Sequence, residues 1–587
     1  MRKYALWVAV VLTFTACLYA YFQFLRPLDV FLWDESHHGF YGMQIYDDLK
    51  ALDWESFWLH TNNQALWMPL HSWLNGFFLL AFGFSYASAR LSSLFLFFVC
   101  SILIYLIGNE ISKEKGWLIG LTAVFLYLTS PMMLHLATVN MQEMMGILIC
   151  LIIIYFIIRN LGLNVFWKFL FLGFLLSVAY WIKQNYALVL IFGVALFQMS
   201  LLFGLKEEKI DLPPDKKKKK NLVPKKGSIA QPSNPFYSWL LNNFAIVLGF
   251  LPLFILWWAT PPFERKYALT VSFRQGSVAE GKSLILNFIG TCLFYLQSFI
   301  TSYNLSFWIA LGCLSAVVAS LFFWRDKRIR IISLMFYANF IFISIMSFAQ
   351  ERYLSLALPL AFLLFGYFFS ITIEKLERQR KAAAFAYVIL SIIGASFLYD
   401  LLSLTSYTKE VANRSIMSFI YKDVFNRFSP PFLFGLTKRP DFTYPKDFTE
   451  EKYQGKYFKA QPKTKLQDVL DFFKSQVDQN KSISTMVSFN QLSPYVIYWH
   501  FHDWQAPVLT VNDLGFNPKY FWNAEYFFDL QPSLESPYYG DWLEKRWNEF
   551  APILLKGNYI KLVTAKEFPD LGLIAKIYKR EKEIVVR

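Results

Sequence analysis

The chain has 587 residues, of which 56% are hydrophobic and 19% aromatic, with a mean hydropathy of +0.35. Soluble proteins sit near about 45–50% apolar, so this is the composition of a polytopic membrane protein with chain left over for one soluble domain. The net charge of +15 does not point to nucleic acid, because much of the basic excess lies in short loops between apolar segments. The five cysteines, Cys17, Cys100, Cys150, Cys292 and Cys313, lie in or beside apolar segments with no CxxC spacing. They read as small buried residues, which argues against disulfides and zinc clusters.

Met1-Arg2-Lys3 precedes an apolar run from Tyr4 to Leu25 that is long enough to span a bilayer, and it reads as an uncleaved first helix. Immediately after it stands Trp33-Asp34-Glu35-Ser36-His37-His38. Two adjacent carboxylates where hydrocarbon gives way to water are costly unless paired or functional. On position alone Asp34 has two readings: a cap for a helix through Glu35–Leu49, or a reacting group. Further apolar runs of spanning length fall near 90–111, 117–135, 138–158, 165–182, 186–204, 237–259, 305–324, 331–349, 354–372 and 383–401. The expectation is therefore about eleven transmembrane helices in residues 1–402. Lys113/Lys115, Arg159/Lys168, the lysine-rich loop 205–236, the 325–330 cluster and Lys375–Lys381 all fall on one side if the N-terminus is cytoplasmic and Leu284–Tyr303 is interfacial. The Pro-, Lys- and Ser-rich 205–236 loop reads as a disordered topogenic segment.

Two outward segments exceed simple turns: 26–89, which carries Asp34-Glu35, and 260–304, which carries Arg265, Lys266 and Arg274. Residues 403–587 turn soluble in composition. Lys465–Val477 and Ser536–Phe550 read as helices. Ser482–Ser488, Pro507–Val511, Tyr559–Ala565, Leu573–Tyr578 and Glu583–Val586 read as strands. Strands alternating with helices predict a small extracytoplasmic α/β domain.

Residues 29–95 carry an ordered series: Asp34-Glu35, Leu52-Asp53-Trp54, Pro69-Leu70-His71-Ser72-Trp73, Phe82-Gly83 and Ala89-Arg90-Leu91-Ser92-Ser93. The series resembles the first outer loop of the GT-C glycosyltransferases of the protein O-mannosyltransferase and aminoarabinose transferase group. Glu143 resembles that group's acidic residue in the second outer loop. Lys183, in Trp181-Ile182-Lys183-Gln184-Asn185, resembles its lysine at the outer end of helix five. Arg352-Tyr353-Leu354…Pro359 resembles its late basic-Tyr-Leu…Pro element. The resemblance implies a GT-C bundle in the cell membrane that moves a sugar from a polyprenyl-phosphate donor to an extracytoplasmic glycan, lipid or protein acceptor. Asp34 is then the expected base, and Glu35 is expected to pair with a nearby Arg and position the loop. Arg90 would close a helix end or pair with Glu35, and Glu143 would meet the acceptor or an ion. Lys183, Arg352 and Tyr353, with Arg265 or Arg274, are the expected phosphate contacts.

The chemistry agrees without the name. Transfer from a lipid phosphate needs a base for the acceptor hydroxyl and cations for the departing phosphate. No nucleotide-binding glycine loop is present, so a lipid-linked donor fits better than a nucleotide sugar. His37, His38, His60, His71 and His135 all fall on the expected outer side but lack tight ligand spacing. Where some relatives carry an acidic-Lys pair before the Pro-Leu element, Trp67-Met68 stand here. The expectation is no cofactor and no metal. The competing reading is a transporter or flippase for lipid-linked glycans, but no internal repeat is seen.

Overall fold

The computed structural model describes residues 4–26, 30–31, 33–64, 67–161, 165–202, 235–264, 266–267, 284–301, 307–345, 351–378, 465–485, 494–510, 522–532 and 551–584. The expected helices 383–401 and 536–550, the 205–236 loop, Arg265, Arg274 and the 402/403 boundary lie outside the described residues.

The described part opens with α1 (Ala5–Ala20), α2 (Trp33–Ala51), α3 (Trp54–Asn63), α4 (Leu70–Phe82) and α5 (Tyr86–Ile111). Next come α6 (Gly116–Thr129), α7 (Pro131–Thr138), α8 (Glu143–Arg159), α9 (Phe166–Ile182), α10 (Gln184–Leu202) and α11 (Pro235–Ala259). The bundle continues with α12 (Leu284–Thr301), α13 (Phe307–Ser320), α14 (Lys327–Ile345) and α15 (Leu358–Arg378). Among the described residues, 5 helices are long and apolar enough to cross a membrane: Tyr86–Ile111, Gln184–Leu202, Phe236–Ala259, Lys327–Ile345 and Leu358–Leu376. A bent pair raises this to 6. The expected single span 117–135 is that pair, bent by 67° where α6 gives way to α7. Ser130 adopts an extended backbone (ψ 121°) ahead of Pro131, as the residue before a proline tends to.

The chain divides into two compact units. One comprises Met1–Thr13, Val99–Ser130 and Met145–Gly394; the other comprises Phe14–Phe98, Pro131–Met144 and Ala395–Arg587. In the first, α9 and α11 approach closely on glycines. A Cβ added to Gly173 would stand 2.0 Å from the Ile246 carbonyl oxygen, and one added to Gly249 1.9 Å from that of Leu170. Small residues let membrane helices pack backbone to backbone where no hydrophobic driving force separates protein from lipid.

The second unit holds α2–α4 and a five-stranded sheet. Its strands are β1 (Ile483–Thr485), β2 (Val508–Thr510), β3 (Tyr526–Pro532), β4 (Ile560–Phe568) and β5 (Leu573–Arg580), in the order β2-β1-β3-β5-β4. β1 runs parallel to β2 and β3, while β3, β5 and β4 are antiparallel. Helix α16 (Leu466–Gln476) covers the sheet, with Phe473 stacked on Phe528 at 4.6 Å. β3 and the short helix α17 (Pro494–His500) were not anticipated from the sequence. The expected strand at 583–586 does not form at residues 583 and 584; 585 and 586 lie outside the described residues. One buried core joins Phe31, Met43, Tyr46 and Leu79 to Val496, Trp499, Phe528 and Ile577, so the segment 26–89 and the sheet share an interior.

Candidate active site

Asp34, Glu35, Arg90 and the start of α8 before Met145 belong to the second unit, and Lys183, Lys266, Arg352 and Tyr353 to the first. In the second unit, Asp34 occupies the first turn of α2; its side chain lies outside the described atoms. Glu35 beside it is 2% exposed. Its carboxylate accepts from Arg90 Nε at 2.6 Å and Nη2 at 2.9 Å, and from the backbone N–H of Asn140 at 2.8 Å. Arg90, 1% exposed, also donates to the Val30 carbonyl at 3.1 Å and lies over the Phe31 ring. The pair anticipated between Arg90 and Glu35 is therefore present. It ties α2 to α5 and to the segment leading into α8. Burying both charges is tolerable because nearly every donor and lone pair on the facing edges is used.

A second knot lies beside this pair. Asn75 on α4 donates to Asn140 Oδ1 at 2.7 Å and accepts from Ser92 at 2.7 Å. The knot is possible because α2 and α4 touch through glycines: a Cβ on Gly76 would meet Ile45 at 2.7 Å. Gln142 donates to the Met68 carbonyl at 3.2 Å. Glu143, the first residue of α8, is 1% exposed. An acid in a helix's first turn is favoured by the dipole. Ser92 entered the sequence reading only as part of the Ala89–Ser93 element, and Asn75 and Asn140 were not singled out, since uncharged polar residues in apolar surroundings carry no pattern of their own.

His37 and His38 follow Asp34 by three and four positions, the spacing of one helix face. Their rings begin a chain of aromatic contacts: His38 lies 5.2 Å from Trp67 and 4.9 Å from His71, and His37 lies 4.1 Å from Tyr495. Among the described residues no group of three His, Cys, Asp or Glu is placed to hold a metal ion. His135, grouped with these histidines by sequence, is exposed on α7.

In the first unit, Lys183 stands at the break between α9 and α10 in extended backbone (φ −162°, ψ 126°). Its ammonium lies 4.9 Å from the Tyr186 ring centre and 5.4 Å from that of Tyr353. The Arg352 guanidinium lies 5.6 Å from the same Tyr353 ring. Two cations from distant parts of the chain thus share one phenol ring, an arrangement that favours charge by cation–π attraction. Lys266, noted in the sequence only as a loop charge, is fully buried. It donates to the Trp257 and Thr260 carbonyls at 2.9 and 3.1 Å, closing the end of α11, and lies 3.9 Å from the Trp257 ring. Burial pushes its pKa down to about 8.

Residues 65–208 match the family model described as dolichyl-phosphate-mannose-protein mannosyltransferase. That segment contains Arg90, Glu143 and Lys183; Asp34 and Glu35 precede it and Arg352 follows it. No curated protein sequence matches the chain. Among solved structures, the fold is similar to ArnT from Cupriavidus metallidurans bound to undecaprenyl phosphate and to the same protein in the apo state. Each has a TM-score of 0.54 and 12% identity, with 97% of either chain covered. The archaeal oligosaccharyltransferase AglB from Archaeoglobus fulgidus is also similar, with a TM-score of 0.46 and 12% identity, covering 90% of this chain and 69% of that one. The chain therefore has the GT-C fold, and its residues 65–208 are similar to the mannosyltransferase family model.

Proposed function

We propose that the protein transfers a sugar from a polyprenyl-phosphate donor to an acceptor hydroxyl at the outer membrane surface. The observation that carries this reading is the gathering of Lys183 and Arg352 around Tyr353, a fixed cationic patch suited to a phosphate. The undecaprenyl phosphate bound by the similarly folded ArnT supports a lipid phosphate as the donor class. Asp34 takes the proton of the acceptor hydroxyl. The acceptor oxygen attacks the anomeric carbon from the face opposite the phosphate. The carbon–oxygen bond to phosphate breaks, and the polyprenyl phosphate leaves with the bonding electrons. The configuration inverts in this single displacement. Lys183 and Arg352, with Arg265 or Arg274, hold the charge that grows on the phosphate. Glu35 positions the first turn of α2 through Arg90, and Glu143 faces acceptor. No step calls for a cofactor.

The test uses cells lacking the gene, rescued with wild type or with Asp34→Asn, and mass spectrometry of envelope glycans and polyprenyl phosphates. The expected result is loss of one sugar from a glycan and accumulation of its prenyl-phosphate donor, reversed by wild type alone. General-base loss should cost about 10²–10⁴ in rate. Full rescue by Asp34→Asn overturns the assignment of the base. A complete glycan stranded on the inner face overturns transfer in favour of transport.

A further inference from the structure

The stripe His37, Phe40, Asp47 on α2 advances by three and then seven residues, so it follows one face of the helix for about 15 Å. Every member of that stripe meets α17 or the turn after it. The Tyr495 ring lies 4.1 Å from His37 and 5.1 Å from Phe40, and Tyr498 lies 5.5 Å from Phe40. At the far end His502 Nε2 meets Asp47 Oδ1 at 2.7 Å. Between these ends, Trp499 is 2% exposed and stacks on Phe84 at 4.4 Å, with Phe31 edge-on at 4.7 Å. Contacts at positions 495 and 498/499 use one face of α17, and His502 in the turn after it extends them. Two helices from opposite ends of the sequence therefore pack side by side within one core.

Asp34 precedes His37 by three residues and continues the same stripe. Tyr495 thus bears on α2 one turn from the position of the proposed base. Because protein interiors are close-packed, a ring removed there frees the turn beside it rather than leaving it unmoved. We infer that the C-terminal domain positions the catalytic helix through α17, with Tyr495 as a positioning residue that acts through His37. The domain is then part of the catalytic half and not a detachable lid. This inference rests on the reading of α2 as the catalytic helix.

Hydrogen exchange of the full-length protein in detergent, read by mass spectrometry, is the first arm of the test. Tyr495→Leu keeps apolar volume but not the flat ring; Tyr495→Phe keeps the ring. Tyr495→Leu should raise exchange over residues 33–40 several-fold while strands 526–532 and 573–580 keep wild-type protection. In the gene-deletion cells the same variant should lower sugar transfer at least tenfold and toward about 10²-fold, the scale of a 1 Å misplacement. Tyr495→Phe should restore both readouts. Unchanged exchange over 33–40, unchanged transfer, or loss of protection spread equally through the sheet each overturns the inference. A wild-type gene that changes no glycan sinks the transferase reading instead, and the exchange arm still decides whether α17 holds α2.

Discussion

Arg90→Ala should be among the most destabilising single changes in this chain. Glu35 accepts two hydrogen bonds from Arg90 and one from the Asn140 amide. The substitution removes both Arg90 bonds from a carboxylate that is 2% exposed. Hydrogen bonds to charged groups contribute about 1.5–3 kcal/mol each, which gives about 3–6 kcal/mol. The independent figure for breaking a buried ion pair from one side is about 3–5 kcal/mol, in agreement. The double variant Glu35→Leu/Arg90→Met removes both charges. It takes from the Asn140 N–H and the Val30 carbonyl the bonds they make with Glu35 and Arg90, at about 1–3 kcal/mol each, less than the summed single losses. Unfolding in mixed dodecylmaltoside–SDS micelles across the four proteins of the cycle measures both quantities. A loss under about 1 kcal/mol for Arg90→Ala, or a double variant as costly as the two singles added, would refute the reasoning.

Lys183→Ala should leave folding intact and cut transfer by about 10²-fold, the loss seen when one electrostatic donor is removed; kinetics at saturating prenyl-phosphate sugar check it. Gly76→Leu should cost about 1–3 kcal/mol by overpacking, since even its Cβ would stand 2.7 Å from Ile45; the same micellar unfolding reads it, and no change would mean α2 and α4 are looser than described. Lys481 donates to Glu525 at 3.0 Å, and this bond chiefly holds the Glu525 carboxyl below its ordinary value of 4.5. That stabilisation is full above pH 4.5 and is lost as the pH falls below it. Glu525→Gln should therefore lower the neutral plateau slightly, as befits an exposed pair, and converge with wild type as the pH falls, which flattens the acid limb in that window. A profile parallel to wild type would remove the ion pair from the acid response.

The bundle was legible because each apolar run announces a buried helix, and α16 was legible because Leu466, Val469, Leu470 and Phe473 repeat at helical spacing. Helix α17 was not. Its seven residues, Pro-Tyr-Val-Ile-Tyr-Trp-His, are β-branched and aromatic, a composition that favours a strand. Proline at its start and a tertiary partner on α2 decide otherwise. β3 was hidden for the opposite reason: Tyr526-Phe527-Phe528 is an unbroken aromatic run and Pro532 ends it, so only four residues alternate, and pairing with β5 along its length and with β1 at its start makes it a strand. Of the site, the acids and basic residues were visible because charge beside hydrocarbon is conspicuous. The Asn75–Asn140–Ser92 knot was not, because nothing in a sequence tells which buried amide will find which other.

The adjacency of Asp34 and Glu35 now has a physical sense. Successive residues on an α-helix point about 100° apart, so two neighbouring acids cannot serve the same partner. Glu35 is turned onto Arg90 and Asn140, which places the Asp34 position on a different face of α2, in line with His37. Glu35 anchors the turn, and in the proposed function Asp34 is the base. The two roles come apart experimentally. Glu35→Gln leaves the Arg90 guanidinium 1% exposed without its counter-charge and should lower stability by about 3–5 kcal/mol, with activity falling as α2 loosens. Asp34→Asn, which removes a charge assigned to chemistry in the proposed function, should leave stability within about 0.5 kcal/mol and remove transfer. Measured side by side, stability loss in Asp34→Asn or wild-type stability in Glu35→Gln would reverse the assignment of anchor and base.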